Sequence, residues 1–387
     1  MVRQGDSFCI QWKREGDPSN PSCYNISMKI GIIGNYGATN VGDDAILSSI
    51  LKAHAGHEFT VFSAHPKDTE KKFRTKTVPL FPLGFRSVFR HGFRQSIKAL
   101  RAVDGVILGG GGLFQDHHLY ACFLWAWQLF WVYFFEKPLF IYATGVGPLH
   151  SWLGKKLTAW AYSRAQVIAV RDESSRRLLK SLGLTEGEIH VTSDPVFLFH
   201  VRESLAERQS RLYMISLRPW LSYDSKIIAI FTEILLRLKT EKDARFLFVS
   251  MQEIKESDYK ILNPLLKKTG GELFVPGNFS ELIEKLRTAE FAIGMRFHFL
   301  IAALITQTPV IPISYSPKID TLFDETPMER YKIPIGELSV DRLHEGLKRL
   351  SVDYNNVKVY EKARTYVLRD RAEESVRLFN RFIGDMG

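Results

Sequence analysis

Residues 28–51 read MKIGIIGNYGATNVGDDAILSSIL. The run Lys29–Ile33 is short and apolar, as a buried strand is, while residues 40–54 carry Ile46, Leu47, Ile50 and Leu51 at helical spacing. Between them stand Gly34, Asn35, Tyr36, Gly37, Asn40, Gly42, Asp43 and Asp44. A strand that leaves through a glycine turn into a helix is the opening unit of a parallel α/β sheet.

The same unit recurs along the chain. Strands are predicted at 58–62, 103–108, 138–143, 167–170 and 188–191, with a second helix at 172–182 carrying Leu178, Leu179 and Leu182. A polar, charged stretch at 200–211 follows Asp194 and Pro195, and a fresh strand begins at Leu212. The second half then alternates strands at 212–216, 246–250, 272–275, 290–293 and 310–313 with helices at 226–238, 259–268, 280–288 and 299–306. Residues 360–383 are strongly helical. These patterns predict an α/β protein of two doubly wound domains facing a cleft, 28–205 and 206–352, followed by a C-terminal helical segment at 353–387. Residues 1–27 are polar, hold Gly16, Pro18 and Pro21, lack the apolar core of a secretory signal, and read as a disordered extension. Met28 stands directly before the first strand as an alternative start of translation.

The 387 residues, 45% of them apolar, suffice for two cores. With 52 basic against 42 acidic residues the net charge is +10, which favours anionic partners, but the basic residues are scattered and no nucleic-acid signature appears. Cys9, Cys23 and Cys122 show neither metal nor redox spacing, so a reduced cytoplasmic setting is expected and no metal or other cofactor is called for. Residues 119–135 are uncharged and include Trp125, Trp127 and Trp131; they are short for a membrane span and read as a helix buried against the first sheet. An aromatic face resting on a membrane is the alternative.

Several constellations fall where strands end, which is where open α/β sheets bind ligands. The turn holding Asn35, Gly37 and Asn40 offers free N–H groups at a helix start, although its spacing is not the dinucleotide fingerprint and a nicotinamide cofactor is disfavoured. The run Gly109, Gly110, Gly111, Gly112 suggests close approach of a ligand to backbone, with Asp116 placed either to accept hydrogen bonds from sugar hydroxyls or to cap the next helix. Arg171, Asp172, Ser193 and Asp194 read as caps and turns. In the second half Arg218, Arg296 with His298, and Lys318 follow successive strands, a set suited to phosphate and carboxylate together. The separation of Arg296 and His298 by two places them on one side if the backbone there is extended, so the helix is expected to start at or after His298.

Taken in order, residues 34–44, the four glycines with Gln115 and Asp116, Gly145 to Pro148, Val170 to Asp172, Ser193 to Pro195, Met295 to His298 and Ser314 to Lys318 resemble the polysaccharide pyruvyl transferase family over about 28–318. The resemblance implies a glycosyltransferase-B-like pair of domains. It also implies transfer of a pyruvyl group from phosphoenolpyruvate, held mainly by the second domain, to a sugar of a cell-surface polysaccharide or its lipid-linked precursor at the inner membrane face. The family's Arg-x-His element matches Arg296 and His298, its strand-end arginine Arg218 and its late lysine Lys318. Phe297 stands where the family often has Leu, and Ser316 where Asp is common.

The chemistry needs several fixed cations for the donor and a group titrating near neutrality, for which His298 is the candidate. Asn35, Gly37, Asn40, Gly110, Gly111, Gly112 and Asp116 would face the acceptor. A sugar-nucleotide-dependent glycosyltransferase and a non-catalytic glycan-binding relative are the rival readings, because the same architecture serves both.

Overall fold

The computed structural model describes residues 27–37, 40–83, 91–116, 119–185, 187, 189–199, 208–252 and 257–386. The expected extension, except for its last residue, and the expected boundary at 205/206 lie outside them. The first half runs β1 (Lys29–Ile33), α1 (Val41–Ala53), β2 (Glu58–Ser63), α2 (Pro66–Phe73), β3 (Lys76–Pro79), α3 (His91–Ala102), β4 (Gly105–Leu108), β5 (Gly111–Phe114), α4 (Leu119–Phe134), β6 (Leu139–Val146), α5 (Trp152–Tyr162), β7 (Val167–Val170), α6 (Glu173–Ser181) and β8 (Ile189–Val191). Its strands form one parallel sheet in the order β3-β2-β1-β4-β6-β7-β8, with β5 paired to β6.

The second half runs β9 (Leu212–Ser216), α7 (Asp224–Lys242), β10 (Arg245–Val249), α8 (Ser257–Thr269), β11 (Glu272–Phe274), α9 (Phe279–Thr288), β12 (Phe291–Gly294), α10 (Phe297–Thr306), β13 (Val310–Ser314), α11 (Pro317–Phe323), β14 (Ile333–Pro334), α12 (Val340–Val352) and α13 (Tyr354–Met386). Its parallel sheet has the order β11-β10-β9-β12-β13-β14. Each sheet therefore reverses its winding direction beside its first strand, between β1 and β4 and between β9 and β12. At such switch points the loops part and leave a crevice.

Three strands, β3, β5 and the two-residue β14, escape the sequence reading. Lys76–Pro79 is half-exposed and lacks an apolar run, and two of the four residues of Gly111–Phe114 are glycine. The helix at 119–135 does bury one face, through Cys122, Trp125, Leu129 and Val132, but its other face exposes Tyr120, Phe123, Phe130 and Phe134. Among the described residues no helix is long and apolar enough to cross a membrane.

The last helix ties the halves together. α13 leaves the second sheet and packs Phe379 and Phe382 against Phe140 of the first, with ring centroids 5.6 and 5.5 Å apart. Arg369 Nε donates to Phe197 O at 3.2 Å, and Ser193 Oγ donates to Leu368 O. A contact from the opposite side, Val41 N to Met251 O at 3.3 Å, closes the base of the cleft.

Candidate active site

The carboxyl ends of the strands of both sheets face one cleft, with an inner chamber of about 170 Å³ opening to an outer one of about 470 Å³. The first sheet contributes Asn35 after β1, Asn40 and Asp43 at the start of α1, Gly111 and Gly112 on β5, Gln115, Gly147 after β6 and Arg171 after β7. The second contributes Arg218 after β9, Arg296 and His298 after β12, and Tyr315 and Lys318 after β13. Strand-end arginines and lysines thus converge because the strands are parallel and adjacent.

Arg218 and Lys318 flank Tyr315. Arg218 Nη1 donates to the Tyr315 hydroxyl at 3.2 Å, and its guanidinium lies 5.2 Å from that ring; Lys318 Nζ lies 5.7 Å from the same ring. Burial pushes the Lys318 ammonium below its ordinary value and, although Tyr315 opposes this, Arg171, Arg218 and Arg296 add to it. Burial alone would raise the Tyr315 phenol, but Lys318, Arg218 and Arg296 outweigh it and hold the phenol below its ordinary range. The neighbouring cations contribute to both shifts, alongside burial for Lys318 and against it for Tyr315, and an anion in this half-buried pocket would offset their mutual repulsion.

Arg296 is held by a carboxylate, unlike Arg218 and Lys318. Its Nε donates to both oxygens of the buried Asp258 at 2.9 Å, and its Nη2 donates to Gln252 Oε1 at 2.6 Å. Part of its charge is therefore met inside the protein, and the same guanidinium pins α8 to the end of β12 while still lining the inner chamber. The backbone also departs from expectation by a residue. Arg296 is the extended N-cap of α10, so Phe297 is already helical and His298 is the second helical residue. Arg296 and His298 consequently diverge, the first toward α8 and the second toward the first sheet.

His298 reaches across the cleft. Its Nε2 lies 3.6 Å from Asp194 Oδ2, an ion-pair rather than a hydrogen-bond separation, and its Nδ1 edge rests on Gly42, where an added Cβ would fall 2.0 Å from Nδ1. The Asp194 carboxylate is buried, which raises it, yet His298 and Arg171 draw it below the usual range. Asp43 faces the same imidazole; burial pushes its carboxyl up, with His298 and Asn35 opposing. A histidine between two carboxylates of unlike proton affinity has the means to take and return a proton.

Arg171, read from sequence as part of a turn, is buried at this point. Its Nη1 lies 3.6 Å from Asp194 Oδ2 and its guanidinium 4.5 Å from the Phe297 ring. Gly145 makes room for it, since a Cβ there would sit 2.2 Å from Nη2. Asp172 does cap α6, accepting from Ser175 N at 2.8 Å.

The predicted acceptor residues divide. Asn35, Asn40, Gly111 and Gly112 line the inner chamber, but the amides of Asn35 and Asn40 both donate to Asp43 Oδ2, at 2.8 and 2.9 Å, and so hold that carboxylate. Gly37, Gly110 and Asp116 do not line it. Gly37 packs against Ser63 and Thr69, and Gly110 against Ile46 and Pro195. Asp116 instead accepts the backbone N–H groups of His150, at 2.8 Å, and Ser151, organising the start of α5 rather than capping α4. Asp43 and Tyr315 stood in the quoted motifs without a site role, and Arg171 and Asp194 were read there only as cap and turn residues, which Asp194 also is, accepting from Val196 N at 3.1 Å; Asp258 gave no signal. Among the described residues no group of His, Cys, Asp and Glu could hold a metal ion.

Solved structures with this architecture include HepE of Anabaena in complex with UDP and glucose, at 10% identity and a TM-score of 0.62 over 92% of this chain and 100% of that one. MnaA of S. aureus, in a co-structure with UDP, matches at 15% identity and a TM-score of 0.63 over 92% and 97% of the two chains. A putative UDP-N-acetylglucosamine 2-epimerase from Listeria monocytogenes matches at 11% and 0.63 over 93% and 97%. At these identities the likeness is one of fold, the two-domain glycosyltransferase-B type. No curated protein matches the chain in sequence. A family model does: polysaccharide pyruvyl transferase, over residues 40–317, a span that holds every residue lining the inner chamber except Asn35 and Lys318. With the cleft, its cations and the greater part of the sequence in agreement, the chain belongs to the polysaccharide pyruvyl transferase family.

Proposed function

We propose that the protein transfers the pyruvyl group of phosphoenolpyruvate to two hydroxyls of one sugar, forming a cyclic ketal, on a cell-surface polysaccharide or its lipid-linked precursor. The observation that carries this reading is the excess of positive charge around Tyr315, facing His298 within one small chamber. Phosphoenolpyruvate bears a phosphate and a carboxylate close together, so it needs several fixed cations at short range. Arg218 and Lys318 have that character, and Arg171, paired with Asp172 and Asp194, and Arg296, paired with Asp258, add positive charge beside them.

In the proposed reaction the methylene carbon takes a proton and the neighbouring carbon becomes cationic. One sugar hydroxyl attacks that carbon, the carbon–oxygen bond to phosphate breaks, and a second hydroxyl closes the ketal. The two hydroxyls lose two protons; one balances the proton gained by the methyl group and the other leaves on phosphate. His298 is the proton carrier, with Asp194 orienting it, and the phosphate being released is a ready relay between His298 and carbon. Backbone at Gly111 and Gly112 leaves room on the first-sheet side for the sugar.

Calorimetry with phosphoenolpyruvate and with a panel of nucleotide sugars tests the donor. Binding of phosphoenolpyruvate and not of nucleotide sugars is expected. The reverse would assign the chain a sugar-nucleotide donor, and with it glycosyl transfer or epimerisation.

A further inference from the structure

The exposed face of α3, α4 and α5 is unlike the rest of the surface. Along α4 the side chains of Tyr120, Phe123, Trp127, Phe130 and Phe134 recur at steps of three and four, which places them on one face of the helix. Four of them are well exposed, Tyr120 at 65% and Phe134 at 62%. Trp152, 71% exposed, and Leu153 begin α5. Asp116 draws the start of α5 toward the start of α4 by accepting from His150 and Ser151.

Basic residues border this aromatic stripe on both sides. α3, joined to α4 through Phe93 and Trp131 at 5.1 Å, exposes Arg94, Lys98 and Arg101; α5, joined through Trp160 and Tyr133 at 5.5 Å, exposes Lys155 and Lys156. The sequences of the three helices contain neither Asp nor Glu. Large aromatic side chains standing out between helices that carry cations and no carboxylate match a lipid–water interface, where aromatic rings settle among headgroups and cations meet anionic lipid. Pairing of this face with itself in a second copy would bring the five cations of each chain together, which disfavours self-association as the explanation.

We propose that the α3–α4–α5 face seats the protein on the surface of an anionic bilayer. The face begins beside the cleft: Gln115, Gly147 and Pro148 line the outer chamber, and α5 starts at Trp152. A bilayer under this face would lie next to the mouth through which an acceptor enters. The arrangement goes beyond the donor reading and does not depend on it, because seating is measured without turnover.

The test is co-sedimentation of the full chain with vesicles of phosphatidylcholine alone and of phosphatidylcholine mixed with phosphatidylglycerol. Strong partitioning into the anionic vesicles is expected, weakened by salt. Phe130→Ser with Phe134→Ser should lower partitioning at least about tenfold through lost apolar burial. Lys155→Ser with Lys156→Ser should lower it on anionic vesicles by about fivefold for each charge removed. Absence of anionic-vesicle binding overturns the proposal, as does binding unchanged by substitution. A wild-type dimer that the same substitutions convert to monomer, with no vesicle binding, would assign the face to a second copy. Should the phenylalanine variant melt early in circular dichroism, the lysine variant alone decides, since both lysines are exposed.

Discussion

Arg218 and His298 carry different parts of the account and should fail differently. Arg218→Ala removes a cation from the pocket around Tyr315, so donor binding should weaken by about 1.5–3 kcal/mol, the range for a hydrogen bond to a charged group. Calorimetry giving equal affinity for the variant would take Arg218 out of the donor site. His298→Ala should leave donor binding nearly intact and lower turnover about 10²- to 10⁴-fold; a loss of melting temperature with turnover per folded molecule preserved would make His298 a structural residue. Gly42→Ala is a second route to the same site, because the added methyl group would occupy the place of the imidazole edge. It should reproduce the kinetic defect of His298→Ala, and wild-type turnover in Gly42→Ala would show that the position of the ring is unimportant. The strand-end cations and the histidine were legible in the sequence because strand ends are predictable. What each side chain meets was not: Asp258 lies in another helix, 38 residues from Arg296, and nothing in the motif announces that it pairs with the guanidinium. Asp194 likewise reads as a turn residue until the second sheet brings His298 to it.

At the scale of elements, the first strand, β7 and β9 run over the expected residues, because buried parallel strands are short apolar runs with clear ends. The half-exposed β3 and the glycine strand β5 have no such signature. α13 was legible as a helix, but its destination was not; its aromatic residues reach back to the first sheet. Phe379 there packs at a tilt against His54 of that sheet's first helix–strand turn, ring centroids 4.3 Å apart, and His54 Nε2 lies 3.0 Å from the Tyr142 hydroxyl. Burial pushes the His54 imidazole down to about 3, with His57 adding to the effect. The folded chain therefore refuses a proton that the unfolded chain binds below about 6.5, the ordinary histidine value. Stability from this residue is complete above that value and falls as pH drops toward 3, by up to about 1.4 kcal/mol per pH unit. His54→Phe should flatten the acid limb, measured as urea midpoints at about pH 7 and about pH 5. An unchanged difference between the two midpoints would mean that His54 is protonated in the folded state or that other groups govern acid unfolding.

The whole molecule places the two switch points opposite one another, and the chemistry depends on their meeting. The pattern of alternating strands and helices made two doubly wound halves legible, and the order of motifs made the family legible, but the contacts across the cleft are long-range and appear only with the fold. His298 to Asp194, Arg171 to Phe297 and Asn40 beside Gln252 each join residues of opposite halves. Neither half alone assembles the chamber, so the activity should belong to the complete chain. Pyruvyl transfer is decided by incubating the full chain with isotope-labelled phosphoenolpyruvate and a panel of glycans and lipid-linked sugars, following phosphate release and label in the sugar product together. The account predicts label retained as a ketal, one phosphate released for each ketal formed, and loss of both with His298→Ala. Phosphoenolpyruvate neither bound nor consumed, with a nucleotide sugar cleaved in its place, would contradict it.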